Sequence, residues 1–329
     1  MKISVAMCTY NGADFLPAQL QSILAQSRKP DQIVVCDDGS TDETRALLAK
    51  FEKQSPDTIL LHFNKKNLGS VKNFEQAIGL CNGDVIALSD QDDVWRQDKL
   101  QLIEEALGKS SSTALVFSDA ELVDENLRPL NRRMWTEIGF DAHKRKLLRN
   151  GRALEVLLPG WTVTGATMAF RSRFANICLP VPDGIAMIHD GWIALTIAAV
   201  ADVVAIDEPL IQYRQHQRQQ IGAPERVETG PEPRGLEKFE TAFKRRNSSA
   251  DLYKILEKLE ERLVAFTGFY DTQKALSFVG DYSFHLNVRA NLPQRSRLTR
   301  VPSILRELLS LRYHEYANGF KSAAKDLVS

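Results

Sequence analysis

The sequence of 329 residues lacks several features that define familiar classes of protein. It contains no run of about 18 apolar residues, which argues against a membrane-spanning helix. Its four cysteines are far apart, with no Cys-x-x-Cys pair and no zinc-binding spacing, so we expect buried, reduced thiols in a cytosolic protein. Residues 1–5 lead directly into a predicted strand, and we therefore expect no signal peptide.

The sequence also has no excess of charge of one sign, and it lacks two common glycine-rich sequences that bind phosphate. The 42 basic and 42 acidic residues balance, so no net field favours nucleic acid as a partner. No Gly-x-x-x-x-Gly-Lys-Ser/Thr sequence occurs, which argues against P-loop phosphoryl transfer. No Gly-x-Gly-x-x-Gly follows the first predicted strand, which argues against a dinucleotide cofactor.

The first part of the sequence shows a regular alternation of strand and helix patterns. Short apolar runs at residues 3–8, 33–36, 59–63 and 85–88 predict buried strands. Apolar residues at helical spacing lie between these runs, and the links are short. This pattern predicts an α/β fold with a mostly parallel sheet and right-handed crossovers.

A polar cluster follows the C-terminal end of each of these predicted strands. Open α/β sheets bind ligands at that edge, outside the carboxyl ends of their strands. Solvated turns are a poor explanation for four clusters at one edge, so the sequence predicts a ligand site there. The clusters are Thr9-Tyr10-Asn11, Asp37-Asp38, Asn67-Leu68-Gly69 and Asp90-Gln91-Asp92-Asp93.

Asp90, Asp92 and Asp93 place three carboxylates within four positions. Carboxylates this close repel one another and raise each other's pKa. A bound hard cation relieves such repulsion, so the cluster predicts a divalent metal that meets a phosphorylated ligand. The alternative is a polar turn with solvated acids.

The second half of the chain has a less regular pattern. Strands are predicted at residues 114–117 and 163–170, a helix begins at His189, and two short strands follow at 203–206 and 210–213. The basic stretch at 124–152 is predicted to be an exposed excursion. We interpret it either as a solvated loop or as a contact for an anionic acceptor.

Composition changes again towards the end of the chain. Residues rich in Pro, Gly and Glu predict a linker at 223–240, after two halves of the α/β domain at 1–110 and 111–222. Residues 241–329 are predicted to be helical. Between positions 289 and 326 the sequence contains eight basic and three acidic residues. The basic excess and the apolar stripes of these helices predict contact with an anionic membrane surface. The alternative is that the helices form a cap on the fold or a dimer contact. One of their apolar stripes consists of Ile304, Leu305, Leu308 and Leu311.

Five motifs together resemble those of the inverting family 2 glycosyltransferases, which have the GT-A fold, a Rossmann-like sheet flanked by helices. The resemblance covers roughly residues 1–220. Two local forms, Ser-Asp-Gln-Asp-Asp-Val-Trp and Tyr213-Arg214-x-His216, resemble a branch of rhamnosyltransferases of surface polysaccharides. The motifs are Thr9-Tyr10-Asn11-Gly12, Asp37-Asp38-Gly39-Ser40-Thr41-Asp42, Asn67-x-Gly69, Ser89-Asp90-Gln91-Asp92-Asp93 and His189-Asp190.

The resemblance implies a role for each group of side chains. Asp190 is the implied general base, and Asp92 and His216 are the implied ligands of Mn²⁺ or Mg²⁺, with Asp93 as a further candidate. The implied nucleotide-sugar-binding residues are Thr9, Tyr10, Asn11, Asp37, Asp38, Asn67, Lys72, Asp90 and Gln91. The implied acceptor or sugar pocket comprises Gly165, Trp161, His189 and Trp192, with core packing an equal alternative for both tryptophans. The family commonly has Glu-Asp where this chain has His189-Asp190, which puts the role of position 189 in doubt.

The implied reaction is transfer of a sugar from a nucleotide diphosphate donor to a glycan or lipid-linked glycan acceptor. L-Rhamnose from dTDP-rhamnose is the favoured donor, and a UDP-linked hexose or aminosugar is the alternative. A sugar-1-phosphate nucleotidyltransferase and a glycan-binding module with a dead site are the rivals from other classes. The expected location is the cytoplasm, with peripheral contact at the inner membrane.

Overall fold

The computed structural model describes residues 1–158, 162–216, 249–294, 296–317 and 319–328, and these form two compact units. The first unit contains the described residues of Met1–Val181 and Met187–Pro233, and the second those of Pro182–Ala186 and Arg234–Ser329. The linker predicted at 223–240 lies outside the described residues. The predicted boundary near residue 110, between the two halves of the first unit, stays a prediction.

The first unit is built on one sheet, to which the described residues contribute nine strands. The strand order is β3-β2-β1-β4-β8-β6-β9-β5, and β7 pairs with β6 at one side. Strands β1 to β4 run parallel, whereas β8 is antiparallel to both of its neighbours. The strands are β1 Ile3–Thr9, β2 Gln32–Asp37, β3 Ile59–Phe63, β4 Val85–Ser89, β5 Val94–Trp95, β6 Thr113–Val123, β7 Pro129–Arg133, β8 Met168–Arg171 and β9 Asp202–Arg214.

The central strands are almost entirely apolar because helices cover both faces of a parallel sheet. Every residue of β4 and all but one residue of β1 are buried. The register aligns Thr9 of β1 with Asp37 of β2, and Met7 of β1 with Ser89 of β4. The polar clusters that follow these strands therefore emerge at one edge of the sheet, as the sequence predicts.

The helices of the first unit pack apolar faces on this sheet. Leu16, Leu20 and Ile23 of α1 are fully buried, and Pro17 lies in the first turn, where a missing N–H costs no hydrogen bond. Short 3₁₀ turns occupy Gly165–Thr167 and Ser172–Phe174. The helices are α1 Leu16–Leu24, α2 Thr44–Gln54, α3 Ser70–Leu80, α4 Lys99–Gly108, α5 Met134–Glu137, α6 Ala142–Arg149, α7 Ala153–Leu157, α8 Ala175–Cys178 and α9 His189–Ala198.

Three predictions for the second half of the sequence were wrong in detail. Residues 203–206 and 210–213 form one strand, β9, because a register shift against β6 accommodates the Glu208-Pro209 step. The strand predicted at 163–170 shrinks to β8, since Gly165–Thr167 form a 3₁₀ turn. The stretch at 124–152 is not simply an exposed loop, because it forms β7, α5 and α6 and buries Trp135 and Phe140 against Phe117.

The described part of the second unit is helical, as predicted. Its helices are α10 Ser249–Ala265, α11 Gln273–Asn291, α12 Arg297–Leu309, α13 Arg312–Tyr316 and α14 Phe320–Val328. Leu292, Ile304, Tyr313 and Ala323 form a small buried core. The predicted stripe on α12 is divided, since Ile304 is buried whereas Leu305 and Leu311 are about half exposed. None of the helices in the described ranges combines the length and apolar character needed to cross a membrane.

Candidate active site

Asp93 is the most deeply buried carboxylate of the loop that follows β4. Its side chain has no exposed surface, and its Oδ1 accepts a hydrogen bond from the backbone N–H of Arg214 at 3.1 Å. Its Oδ2 has no hydrogen-bond partner within the described residues. Burial, followed by repulsion from Asp92 and Asp90, raises the pKa of Asp93 well above its usual value. The loop therefore holds a carboxylate oxygen that the protein leaves unsatisfied.

The pKa of Asp90 is raised by the same two causes. Burial, together with repulsion from the carboxylates of Asp92 and Asp190, raises its pKa to about 7. The ammonium group of Lys99 acts in the opposite direction. The repulsion also shows that Asp190, 100 positions later in the sequence, lies near this loop.

Asp92 faces the end of β9. Its Oδ2 lies 2.9 Å from Nε2 of His216, and its backbone carbonyl accepts a hydrogen bond from Nε of Arg214 at 2.6 Å. The ring of Phe15 packs against the imidazole of His216 at 4.4 Å and under the guanidinium of Arg214 at 4.8 Å. Pairing of β5 with β9 brings these residues together, since Val94 is the register partner of Gln212.

The acid loop fits a divalent cation on the chemistry of its donor atoms. A carboxylate and an imidazole converge at Asp92 and His216, and the next residue, Asp93, has a buried Oδ2 without a hydrogen-bond partner in the described residues. The described ranges contain no cluster of three or more His, Cys, Asp or Glu side chains suited to a metal. Mg²⁺ and similar ions commonly take only one or two protein ligands and complete their shell with phosphate oxygens and water. The residues present thus fit a metal that is held jointly with a diphosphate.

Asp37, at the end of β2, is bound entirely by its own protein. Its carboxylate accepts hydrogen bonds from Oγ1 of Thr9 at 3.1 Å, from the backbone N–H of Ser40 at 3.1 Å and from the hydroxyl of Ser40. Nε of Arg45 adds a fourth donor at 2.6 Å. A carboxylate has about four acceptor sites, so Asp37 is saturated.

Asp38 orders the loop that precedes α3. Its Oδ1 accepts from Nδ2 of Asn64 at 2.9 Å and from the N–H of Leu68 at 2.8 Å, and its Oδ2 accepts from the N–H of Gly69 at 2.9 Å. Asn67 supports the same turn, since its Oδ1 also accepts from Gly69 at 3.1 Å. These three bonds leave Asp38 with about one free acceptor site, on Oδ2.

The loop after β1 is fastened to the acid loop by Gln91. The amide of Gln91 accepts from the N–H of Tyr10 at 2.9 Å and donates to its carbonyl at 3.1 Å. A Cβ on Gly12 would lie 2.0 Å from Oε1 of Gln91, so any side chain at position 12 would displace this amide. Asn11 adopts a left-handed backbone conformation, and its Oδ1 accepts from the N–H of Thr41 at 2.8 Å. Tyr10 itself remains 42% exposed beside the loop.

Asp190 lies in the first turn of α9 and is held by the Gly165 turn. Its Oδ2 accepts from the N–H of Gly165 at 2.9 Å. A Cβ on Gly165 would lie 3.3 Å from Nε2 of His189 and 3.5 Å from Cβ of Asp190, which leaves little room for a side chain. His189 is buried and stacks on Phe74 at 4.1 Å, and burial lowers its pKa.

Trp192 and Lys72, two of the predicted site residues, contact other parts of the protein. Trp192 is fully buried and donates its indole N–H to the carbonyl of Cys178 at 2.9 Å, so the prediction that it stacks on a sugar was wrong. A ring without exposed surface has no face to offer a ligand. Lys72 forms an ion pair with Glu75 at 3.1 Å on α3. Trp161 lies outside the described residues.

Lys99 is a residue near the site that the sequence reasoning missed. Its side chain is fully buried, and its Nζ donates to the carbonyl of Ala166 at 2.6 Å. Burial lowers its pKa to about 7, while the carboxylates of Asp93 and Asp90 favour its charged form. The signal that could have revealed it is its place on the apolar face of α4, which it shares with Ile103 and Leu107.

Comparisons with known proteins identify the family of the chain. The model of the family described as "Glycosyl transferase family 2" matches residues 4–179, more than half of the chain. An uncharacterised glycosyltransferase of Nostoc sp. is 30% identical over 220 residues, which cover 66% of this chain and 65% of that protein. The dTDP-rhamnosyl transferase RfbG of Shigella flexneri is 30% identical over 240 residues, which cover 66% of this chain and 74% of RfbG.

A solved structure supports the predicted fold. The crystal structure of Staphylococcus aureus TarS in complex with UDP-GlcNAc matches with a TM-score of 0.51 and 17% identity, covering 99% of this chain and 91% of that chain. At this identity the likeness concerns the fold alone. The α/β architecture with helices following it, predicted from the sequence, is thereby confirmed.

Proposed function

The chain belongs to glycosyltransferase family 2 and uses a nucleotide sugar, and we propose that it transfers L-rhamnose from dTDP-rhamnose, with inversion, to a hydroxyl of a surface-polysaccharide acceptor. The convergence of the Asp90–Asp93 loop, His216 and Asp190 at one sheet edge is the observation that carries the proposal. Similarity to RfbG over 240 residues supports the choice of donor. A UDP-linked hexose or aminosugar is the alternative donor.

Asp190 is the proposed general base. It would take the proton of the acceptor hydroxyl while that oxygen attacks the anomeric carbon, as the bond from this carbon to the diphosphate breaks. A single displacement of this kind inverts the configuration at the anomeric carbon. The N–H of Gly165 holds Oδ2 of Asp190 at 2.9 Å, and Oδ1 accepts from the N–H of Gly191 at 2.6 Å, so the carboxylate has a fixed orientation.

Asp92 and His216 are the proposed protein ligands of Mn²⁺ or Mg²⁺, with Asp93 as a further candidate. When bound, such a metal offsets the charge that develops on the leaving nucleoside diphosphate. The buried Oδ2 of Asp93 and the mutual repulsion of the three carboxylates favour a cation at this place. Asp90 is proposed to contact the ribose.

The remaining predicted residues are proposed to hold the nucleotide. Asp38 is favoured over Asp37 as the acceptor for a base N–H, because Asp37 already accepts from four donors of the protein. Tyr10 is exposed beside this loop and offers a ring for the base. Thr9 and Asn11 contribute by positioning, since they bind Asp37 and Thr41 respectively. Gln91 has the same role towards Tyr10.

A thermal-shift screen tests the donor directly, because a ligand that binds the native state raises its apparent stability. The panel consists of dTDP-rhamnose, UDP-glucose, UDP-GlcNAc and GDP-mannose, each with Mn²⁺ and with EDTA. We expect the largest shift for dTDP-rhamnose with Mn²⁺. A larger shift for either UDP sugar would select the alternative donor, and no shift with any of them would favour a binding module with a dead site.

Asp190→Asn tests the base. We expect kcat to fall about 10²- to 10⁴-fold with donor affinity unchanged, because only proton transfer is lost. Release of nucleoside diphosphate and calorimetric donor binding give the two values. Asp57→Asn is the matched control, since Asp57 is exposed in the turn before β3. Turnover of Asp190→Asn near that of the control would remove Asp190 from this role.

The second unit is proposed to contact an anionic membrane surface through α12. This helix exposes an apolar row in which Leu298 is 86% and Leu309 84% accessible, with Leu305 and Val301 between them. Exposed Arg297 and Arg306 lie on the same helix. Two of the three acids between 289 and 326 are paired with arginines, Glu307 with Arg312 at 3.3 Å and Asp326 with Arg289 at 2.6 Å. Exposed leucines with exposed positive charge fit lipid headgroups of negative charge.

Vesicle binding tests this contact. The double variant Leu298→Glu/Leu305→Glu should no longer sediment with phosphatidylglycerol vesicles, whereas Val264→Glu, an exposed change on α10, should sediment like the wild type. Phosphatidylcholine vesicles should bind none of the three proteins. Equal binding of all three to phosphatidylglycerol would contradict the contact. A dimer that dissociates only in the double variant would identify the row as a surface for a second copy.

A further inference from the structure

Lys99 is a buried cation inside the sheet unit, at the first position of α4. Its side chain is fully buried, and its ammonium group lies 3.8 Å from the centre of the Trp95 ring. Burying an ammonium group costs several kcal/mol unless partners compensate for the lost water. The partners here are the face of an aromatic ring, a backbone carbonyl and two nearby carboxylates. Such an arrangement requires an explanation beyond packing, because a leucine would fill the same space at lower cost.

The carbonyl that Lys99 holds belongs to the turn next to Asp190. Nζ donates to the carbonyl of Ala166 at 2.6 Å, and the preceding residue, Gly165, donates its N–H to Oδ2 of Asp190 at 2.9 Å. On its other side, the ammonium group faces the ring of Trp95, which lies two residues after Asp93. Contacts therefore lead from the strand that follows the acid loop, through Lys99 and the 3₁₀ turn, to Asp190.

We propose that Lys99 is a positioning residue for transfer: its buried ammonium fixes the Gly165–Thr167 turn against Trp95, the residue that ends β5 just after the acid loop, and thereby sets where Asp190 lies relative to the donor. The proposal rests on the proposed function, in which Asp190 is the base. Lys99 itself touches no reacting atom. Its contribution is geometric, because a misplacement of about 1 Å between a base and its substrate costs roughly 10²-fold in rate.

Loss of the ammonium group should therefore affect kcat more than donor binding. Lys99→Met keeps the length of the side chain and its contact with Trp95 but removes the hydrogen bond to Ala166. We expect kcat to fall about 10- to 100-fold with KM for the donor within about twofold. Lys99→Arg keeps the charge and N–H donors for the carbonyl of Ala166, so its kcat should fall less than that of Lys99→Met. Lys109→Met, an exposed change just after α4, is the matched control.

Hydrogen exchange of the backbone tests the link without any donor. In Lys99→Met, peptides covering residues 162–170 should exchange faster than in the wild type, with no change in peptides covering 59–80. Lys109→Met should leave both regions unchanged. Exchange at 162–170 that is equal in Lys99→Met and the wild type would overturn the proposal. If Lys99→Met fails to fold, Lys99→Arg replaces it in the comparison. A fall of kcat by more than about a hundredfold in Lys99→Arg, with exchange at 162–170 unchanged, would also overturn the proposal.

A double-mutant cycle with Asp190→Asn separates this role from a structural one. The sugar nucleotide is the one of the four-member panel that the wild type turns over fastest. If Lys99 acts through Asp190, Lys99→Met should change the rate less than threefold in the Asp190→Asn background. Equal losses in both backgrounds would show that Lys99 acts independently. Failure of the proposed function gives a different result, namely full turnover of the single variant Asp190→Asn.

Discussion

Two groups of aspartates end neighbouring parts of the same sheet, and the protein treats them in opposite ways. Asp37 and Asp38 follow β2, and Asp92 and Asp93 follow β4, on either side of β1. Seven hydrogen bonds from the protein reach the first pair: four to Asp37 and three to Asp38. In the second pair, Oδ2 of Asp93 is buried without a partner in the part of the chain that the structure describes.

Asp37 and Asp38 stabilise the loops that donate to them, and they shape the turns at Ser40 and Gly69. Only Asp37 is saturated, whereas Asp38 keeps about one acceptor site for a ligand. An unsatisfied buried carboxylate costs about 1–3 kcal/mol or more, so its retention points to an external partner. Sequence position alone does not distinguish the two pairs, since both are adjacent aspartates in a loop after a buried strand.

Replacing one aspartate of each group by alanine should have opposite consequences for activity and stability. Asp92→Ala should abolish Mn²⁺-dependent nucleotide binding and reduce turnover by about 10³-fold or more, because the charge on the leaving diphosphate loses its counterion. Its free energy of unfolding without metal should stay within about 1 kcal/mol of wild type, since repulsion from Asp90 and Asp93 is relieved. Calorimetry with dTDP and Mn²⁺, together with urea unfolding, measures both. Unchanged nucleotide affinity would contradict the assignment.

Asp37→Ala should lower stability, whereas Asp92→Ala should mainly affect nucleotide binding and turnover. We expect a loss of about 2–4 kcal/mol in unfolding free energy, because the hydroxyls of Thr9 and Ser40 and the N–H of Ser40 lose a buried acceptor. Arg45 adds little to this loss, since its side chain is 42% exposed and its ion pair is screened. Urea unfolding at pH 7 in EDTA measures the difference. A variant as stable as the wild type would show that the hydrogen bonds to Asp37 do not stabilise the fold.

Much of the edge of this sheet could be predicted from the sequence. Parallel strands that end in polar clusters must bring those clusters together, and the register of Thr9 with Asp37 shows that they do. The pairing of Asp92 with His216 was predictable only through the family resemblance. These residues are 124 positions apart, and no local pattern fixes how β9 returns to β5.

Other features of the site depend on tertiary packing that no local pattern encodes. Trp192 was assigned to a sugar pocket, but the packing of α9 on α8 buries it completely. Lys99 was overlooked because a lysine is normally exposed, and only the folded structure supplies the carbonyl of Ala166 and the ring of Trp95. The saturation of Asp37 likewise needs Arg45 and Ser40 to fold back onto β2.

The smallest expected effect concerns Asp90, whose pKa of about 7 in the folded protein exceeds the value of about 3.9 expected for an unfolded chain. The folded state therefore binds more protons between these two values, so this group makes metal-free protein less stable as pH rises from about 4 to 7. Asp90→Asn should remove that decline and be more stable than wild type at pH 8 by on the order of 1 kcal/mol. Urea unfolding in EDTA at pH 5, 6, 7 and 8 measures it, with Asp57→Asn as the control. If the stability of both variants depends on pH as that of the wild type does, the pKa of Asp90 is not raised in the folded protein. The contrast between the two groups of aspartates would then rest on Asp92 and Asp93 alone.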